Sequence, residues 1–209
     1  MARVLYIKAS PMGELSFSTA VTEAFIEAYK QAQPKDEVDV LDLFDEELPD
    51  FDFAAASAKY KIMHGKEHSH EEEKVWQGVL DVIERFKTAD KYVLAVPMWN
   101  FGVPYRFKQY VDVIVQPGQT FTVTDEGYKG LTGDKPVFVA YARGGDYSEG
   151  TGRESLDFQK PYVETILGFV GLTDVRSVTV EPTLQGGPDT AEQKRSEAID
   201  QARKMAQSF

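Results

Sequence analysis

The sequence predicts an α/β protein: a doubly wound, five-stranded parallel sheet with helices on both faces and a small inserted hairpin. Short apolar runs alternate with longer segments of helical periodicity along the whole chain of 209 residues. Runs such as KYVLAV are apolar beyond their first lysine, as strands covered on both faces are. No repeat, linker or low-complexity tract interrupts the alternation, so residues 1–209 are read as one domain.

Residues 3–9 (RVLYIKA) read as the first buried strand. A helix over residues 16–33 follows, with Ala20, Phe25, Ile26 and Tyr29 at near-helical spacing. Residues 37–43 (EVDVLDL) form the second strand. Residues 51–74 read as helical in pieces, and a helix over 71–88 carries Val75, Val79, Val82, Ile83 and Phe86 on one face. The third strand spans 91–96, before a helix opening at Pro104, since proline suits the first helical position. Residues 120–130 (TFTVTDEGYKG) alternate about an EG turn and read as the hairpin. The remaining strands are 135–142 (KPVFVAYA) and 175–182 (VRSVTVEP), with helices expected over 155–170 and 190–206.

Composition excludes several classes. With 23 basic and 34 acidic residues the formal charge is −11, and no basic cluster offers a face to nucleic acid or to an anionic membrane. The chain has no cysteine, which removes disulfides, thiolate metal sites and cysteine nucleophiles and fits a reducing compartment. The first residues run straight into a strand pattern, and no apolar run nears the roughly 18–20 residues that span a bilayer. A cytoplasmic protein is expected. His64, His68 and His70 beside Glu71, Glu72 and Glu73 offer metal-type ligands, but so polar a run reads as a solvated helix start and no metal is assigned. Asp45 and Glu47 read as surface charge.

Doubly wound sheets bind ligands beyond the carboxyl ends of their strands, beside the point where strand order reverses. Three strand exits therefore carry the functional reading. The first, SPMGELSFSTA (10–20), is neither a dinucleotide fingerprint nor a nucleoside-triphosphate loop. It gathers Ser10, Ser16, Ser18 and Thr19 around a helix start, where free amides and hydroxyls suit a phosphate; simple helix capping accounts for the same serines. The second, PMWNFGVPYRFKQYVD (97–112), sets Trp99 and Phe101 between two prolines. A stiff loop with free amides, the Asn100 side chain and flat apolar surfaces suits a planar heterocycle with polar edges, such as an isoalloxazine. The third, YARGGDYSEGTG (141–152), offers consecutive amides at Gly144 and Gly145 that could face the ring's pyrimidine edge. Arg143 either strengthens that edge or is a salt-bridged surface residue, and Asp146 opposes it if turned inward.

SPMGELSFS, PMWNFGVPYRFKQYVD, ARGG and the distal PYVETILGFVGLTDV together resemble the FMN-dependent NADH-azoreductases, quinone reductases of flavodoxin-like fold. The resemblance runs the length of the chain in order, and P-M-[WY]-N-F is its most specific motif. It implies that Ser10, Ser16, Phe17 and Ser18 hold the ribityl phosphate, Met98, Trp99, Asn100 and Phe101 the ring, and Ala142, Arg143, Gly144 and Gly145 its pyrimidine edge. Family members with tyrosine at Trp99 gain a phenolic hydrogen bond absent here, and Ala142 stands where a serine is familiar. The resemblance further implies bound FMN, NADH or NADPH as donor, a quinone or aromatic azo compound as acceptor, two-electron ping-pong transfer, and a homodimer with each flavin near the subunit boundary. Phe121, Tyr128 and Tyr147 are expected to line the substrate space. No catalytic side chain is assigned, although Asn100 and Tyr147 are candidates for proton delivery. Two rivals remain: a flavodoxin-type one-electron carrier, to which the acidity is suited but the extra segments 51–74 and 120–130 are not, and a flavin-free binding or regulatory module.

Overall fold

Strands β1 (Arg3–Lys8), β2 (Glu37–Asp42) and β3 (Lys91–Pro97) are joined by β6 (Val137–Ala142) and β7 (Val175–Val180) in one parallel sheet, in a computed structural model that describes residues 1–209. The spatial order is β2-β1-β3-β6-β7, while β4 (Phe121–Thr124) and β5 (Gly127–Gly130) form a separate antiparallel hairpin. The chain winds outward from β1 to β2, then crosses back to β3, so strand order reverses between β1 and β3. The exits after Lys8 and Pro97 therefore flank the switch point.

Alternating side chains divide the core into two layers. Leu5, Ile7, Leu94, Val96, Val139 and Tyr141 meet α3 (His70–Lys87), α4 (Tyr105–Ile114) and α5 (Lys160–Val170). Val4, Tyr6, Val93, Ala95, Phe138 and Ala140 meet α1 (Phe17–Ala32) and α6 (Gly187–Ala206). Phe25 stacks on Phe138 with centroids 4.0 Å apart, and Ala198, Ala202 and Ala206 let α6 lie close.

Several boundaries differ from the sequence reading for local reasons. Helix α5 opens at Lys160 rather than 155, because Glu154–Leu156 closes a 3₁₀ turn and the Asp157 carboxylate caps the Gln159 and Lys160 amides at 3.0 and 3.1 Å. Helix α6 opens at Gly187 rather than 190, since Pro188 and Asp189 both suit a first turn. Pro104 is the residue before α4, not its first. Residues 51–74 divide into α2 (Phe53–Met63) and a break through Gly65 before α3. Ser69 and Glu72 close a capping box at the start of α3, and the three histidines fall on separate pieces: the end of α2, the break and the start of α3.

Glu72 also clamps α2 to α3, accepting from Lys61 Nζ at 2.6 Å and from the Ser57 hydroxyl at 3.2 Å. The Lys61 ammonium first, then the Ser69 amide, hold its carboxyl down to about 2 from an ordinary 4.5. A depressed folded value means a contribution present above the unfolded pKa and lost as pH falls through the folded one. Amide exchange protection in α2 is thus expected to decline between about pH 4.5 and about pH 2, and Glu72→Gln to flatten that dependence; an unchanged profile in the variant would show that the clamp plays no part.

Candidate functional site

At the first exit, a 3₁₀ turn over Gly13–Leu15 leads into Ser16, which caps α1 by accepting from the Thr19 amide at 3.3 Å. Capping does not exhaust this helix end. The Phe17 and Ser18 amides have no partner within the chain, and the first turn holds no acidic side chain. The Ser16 and Ser18 hydroxyls stand 3.2 Å apart, Ser10 is buried just beyond β1, and the buried Thr19 Oγ1 has no partner. Free amides, hydroxyl donors and an uncompensated helix dipole form an anion cradle.

At the second exit, Trp99 and Gly102 exchange both backbone hydrogen bonds, at 3.0 and 2.9 Å, closing a tight turn with Asn100 at φ +48° and Phe101 at φ +69°. Two positive φ values mark the mirror-image turn that usually takes glycine. Asparagine tolerates this region; phenylalanine there costs about 1–2 kcal/mol. Strain of that size points to a functional demand on the backbone. The turn leaves the Asn100 and Phe101 amides unpaired and Trp99 and Phe101 37% and 43% exposed. Phe101→Gly is expected to raise apoprotein stability by roughly 1 kcal/mol by relieving that strain, while removing one aromatic wall; a lower unfolding midpoint would contradict the strain argument.

An aromatic group that sequence reading missed backs this turn. Trp99 lies 5.9 Å from Phe44 and 6.3 Å from Tyr105, themselves 5.8 Å apart. Phe44 follows β2, so only the assembled sheet brings it here. Arg106 fixes that neighbour by donating to the Leu43 carbonyl at 2.6 Å and to the Glu46 carbonyl.

The third exit is tied to the second: the Met98 amide donates to the Ala142 carbonyl at 2.8 Å and the Phe158 amide to Phe101 at 3.0 Å. Phe101 also meets the Tyr147 ring edge-on at 6.3 Å, which brings Tyr147 into the group. The Gly144 and Gly145 amides are unpaired, while the Gly144 carbonyl accepts from Leu184 and Gln185. Asp146 is turned along its own loop to the Ser148 hydroxyl and amide, which hold its carboxyl below the usual range.

Two sets of candidates stand apart from the rest. Arg143 is not on the surface: it is 3% exposed, with its guanidinium bonded to Asp157, Glu181 and Gln159. Phe121 and Tyr128 do not join the exits within one chain. They pack on Phe169 at 4.7 and 5.3 Å, near the carboxyl end of α5, where Thr132 also donates to the Val170 carbonyl. That places them at the amino edge of the sheet, about 20 Å away for six-residue strands. Ser10, Ser16, Phe17, Ser18, Met98, Trp99, Asn100, Phe101, Ala142, Gly144 and Gly145 all stand at the exits of β1, β3 and β6.

Comparison with known proteins gives a consistent result. A family model described as flavodoxin-like fold matches residues 2–206. An FMN-dependent NADH:quinone oxidoreductase of Nitratidesulfovibrio vulgaris (strain Hildenborough) is 56% identical, with 100% of each chain covered. One of the same name from Desulfotalea psychrophila is 43% identical over 93% of this chain and 91% of its own. Among solved structures, an azoreductase from Bacillus anthracis strain Sterne superposes with a TM-score of 0.92 at 36% identity, covering 100% of both chains. An FMN-dependent NADH-azoreductase from the Ames Ancestor strain, in complex with FMN, gives 0.88 at 28% identity, covering 99% of this chain and 100% of its own.

Proposed function

The chain belongs to the family of FMN-dependent NADH:quinone oxidoreductases with flavodoxin-like fold, and from that premise we propose that the three-exit site holds FMN and serves two-electron reduction of quinones and aromatic azo compounds by NADH. The observation that carries this placement is the strained turn at Asn100 and Phe101, whose unpaired amides and flanking aromatics stand at the switch point beside an anion cradle.

The residues fit the cofactor at both ends. The Phe17 and Ser18 amides with the Ser10, Ser16 and Ser18 hydroxyls suit a phosphate and bring no carboxylate in the helix's first turn to oppose it. The Asn100, Phe101, Gly144 and Gly145 amides supply donors to two sides of a planar heterocycle. When bound, FMN supplies the ability to take two electrons with a proton from one substrate and yield them to another. The protein's part is to orient and to exclude water. Trp99 and Phe101 present flat apolar surface to which nicotinamide and acceptor bind in turn, and stacking without directional bonds admits many flat acceptors. Proton delivery falls to water or to the Tyr147 hydroxyl, since all three histidines lie on the α2–α3 segment.

The active form is a homodimer. The hairpin leaves Tyr128 71% exposed on an aromatic group with Phe121 and Phe169, apolar surface suited to a twofold contact. In that arrangement Phe121 and Tyr128 serve the substrate space of the other copy, which reconciles their chemistry with their position. The setting is the cytoplasm, where NADH is at hand; no helix is long and apolar enough to cross a membrane. Initial rates with NADH and a benzoquinone, each varied at fixed levels of the other, are expected to give parallel double-reciprocal lines. Intersecting lines would rule out one space used in turn.

A further inference from the structure

The buried guanidinium of Arg143 has no place in the cofactor contacts above, yet three side chains from two segments converge on it. Its Nε donates to Gln159 Oε1 at 2.9 Å, one terminal nitrogen to Asp157 at 2.6 Å, and the other to Glu181 at 3.3 Å. Gln159, fully buried, passes the link on by donating to the Val96 carbonyl at 2.8 Å, on the strand that leads into the Trp99 turn. Glu181 also accepts from the Tyr147 amide at 3.0 Å, and Asp157 caps α5. The Arg143 carbonyl accepts from Thr183 and its amide donates to Val180. One cation and two carboxylates thus sit directly behind Gly144 and Gly145, with a formal charge of −1 among them.

We propose that Arg143 is a positioning residue whose bonds to Asp157, Glu181 and Gln159 hold the Gly144–Gly145 amides in register with the Trp99 turn, and whose charge, set against the two carboxylates, tunes the reduction potential of the flavin. The inference rests on the FMN site proposed above. In a site with little water, a charge behind the donor loop acts on an electron-rich ring through a low effective dielectric. Two-electron reduction adds negative charge to the ring, so each added negative charge nearby disfavours the reduced form and each one removed favours it.

The test compares paired variants in the FMN-loaded enzyme by midpoint potential and by FMN affinity. Arg143→Gln leaves a formal −2 and is expected to lower the potential. Glu181→Gln keeps an oxygen acceptor for Arg143 and the Tyr147 amide, leaves a formal 0, and is expected to raise it. Each should change the ratio of reduced- to oxidised-FMN affinity by about tenfold, the order of effect of one nearby charge acting through an effective dielectric of about 20. Arg143→Lys restores the sign but not the fork, so the potential should stay near the parent's while FMN binds more weakly. Shifts of the same sign in Arg143→Gln and Glu181→Gln, or unmoved potentials with FMN bound, would overturn the inference. Should Arg143→Gln fail to fold, Glu181→Gln and Asp157→Asn carry the test, and the absence of a rise in both is the overturning result. A parent protein that takes up no FMN defeats the underlying site; a parent that binds it normally, with silent variants, defeats this inference alone.

Discussion

Ser16→Asp is expected to remove FMN binding while leaving the apoprotein folded. Aspartate caps a helix as well as serine does, so the bond to the Thr19 amide survives in kind. It also places a carboxylate beside the open Phe17 and Ser18 amides, where the helix dipole favours it. The same carboxylate would face the phosphate of the cofactor. At about 5 Å through an effective dielectric of about 20, each pair of unit charges repels by roughly 3 kcal/mol, so the dissociation constant should rise at least about a hundredfold. Ser16→Asn caps without charge and separates the two roles: it should stay within a few-fold of the parent. Fluorescence titration of the apoproteins measures both. Equal affinity in Ser16→Asp and Ser16→Asn would mean that the phosphate lies elsewhere.

Gly130→Ala is expected to produce the largest loss of stability from a single methyl group. Gly130 closes β5 against Gly171, and an added Cβ would fall well inside contact distance of the Gly171 nitrogen and the Val170 carbonyl carbon, both backbone atoms. Neither can swing aside as a side chain does. The hairpin must lift from α5, straining the Thr132–Val170 hydrogen bond and the packing of Phe121 and Tyr128 on Phe169. Overpacking of this kind costs about 3 kcal/mol, or some 6–12 °C in unfolding midpoint for a chain of this size. Because the hairpin serves the other copy in the proposed dimer, quinone turnover should fall further than FMN affinity. Gly168→Ala, on the same helix with open space around it, is the control and should be neutral or slightly stabilising. Equal midpoints for Gly130→Ala and Gly168→Ala would show that the hairpin is not docked as described.

Much of this molecule is legible in its residues, for physical reasons. Strands such as β6, and β3 after Lys91, are apolar because both faces are covered, and the pattern survives without knowledge of the neighbours. The motif around Asn100 points to the candidate site because a turn carrying aromatics needs a reason to exist. What stayed hidden depends on distant parts of the chain. Phe44 joins Trp99 only when β2 is laid beside β1. Arg143 looks like any loop arginine until Asp157, Gln159 and Glu181 are folded around it. The positive φ angles of Asn100 and Phe101 carry no glycine signal, so the turn's strain cannot be read from its letters. Phe121 and Tyr128 have the right chemistry for a substrate wall, but the crossover through α4 takes them to the far edge of the sheet.

The central claim is that a phosphorylated flavin seats across the exits of β1, β3 and β6 and passes electrons from NADH to a quinone. Apoprotein titrated with FMN and then mixed anaerobically with NADH tests it most directly. The account predicts saturation at one FMN per chain, rapid loss of the yellow absorbance on adding NADH, and its return on adding benzoquinone. A protein that leaves FMN free in solution, or binds it and stays yellow under excess NADH, would contradict the account.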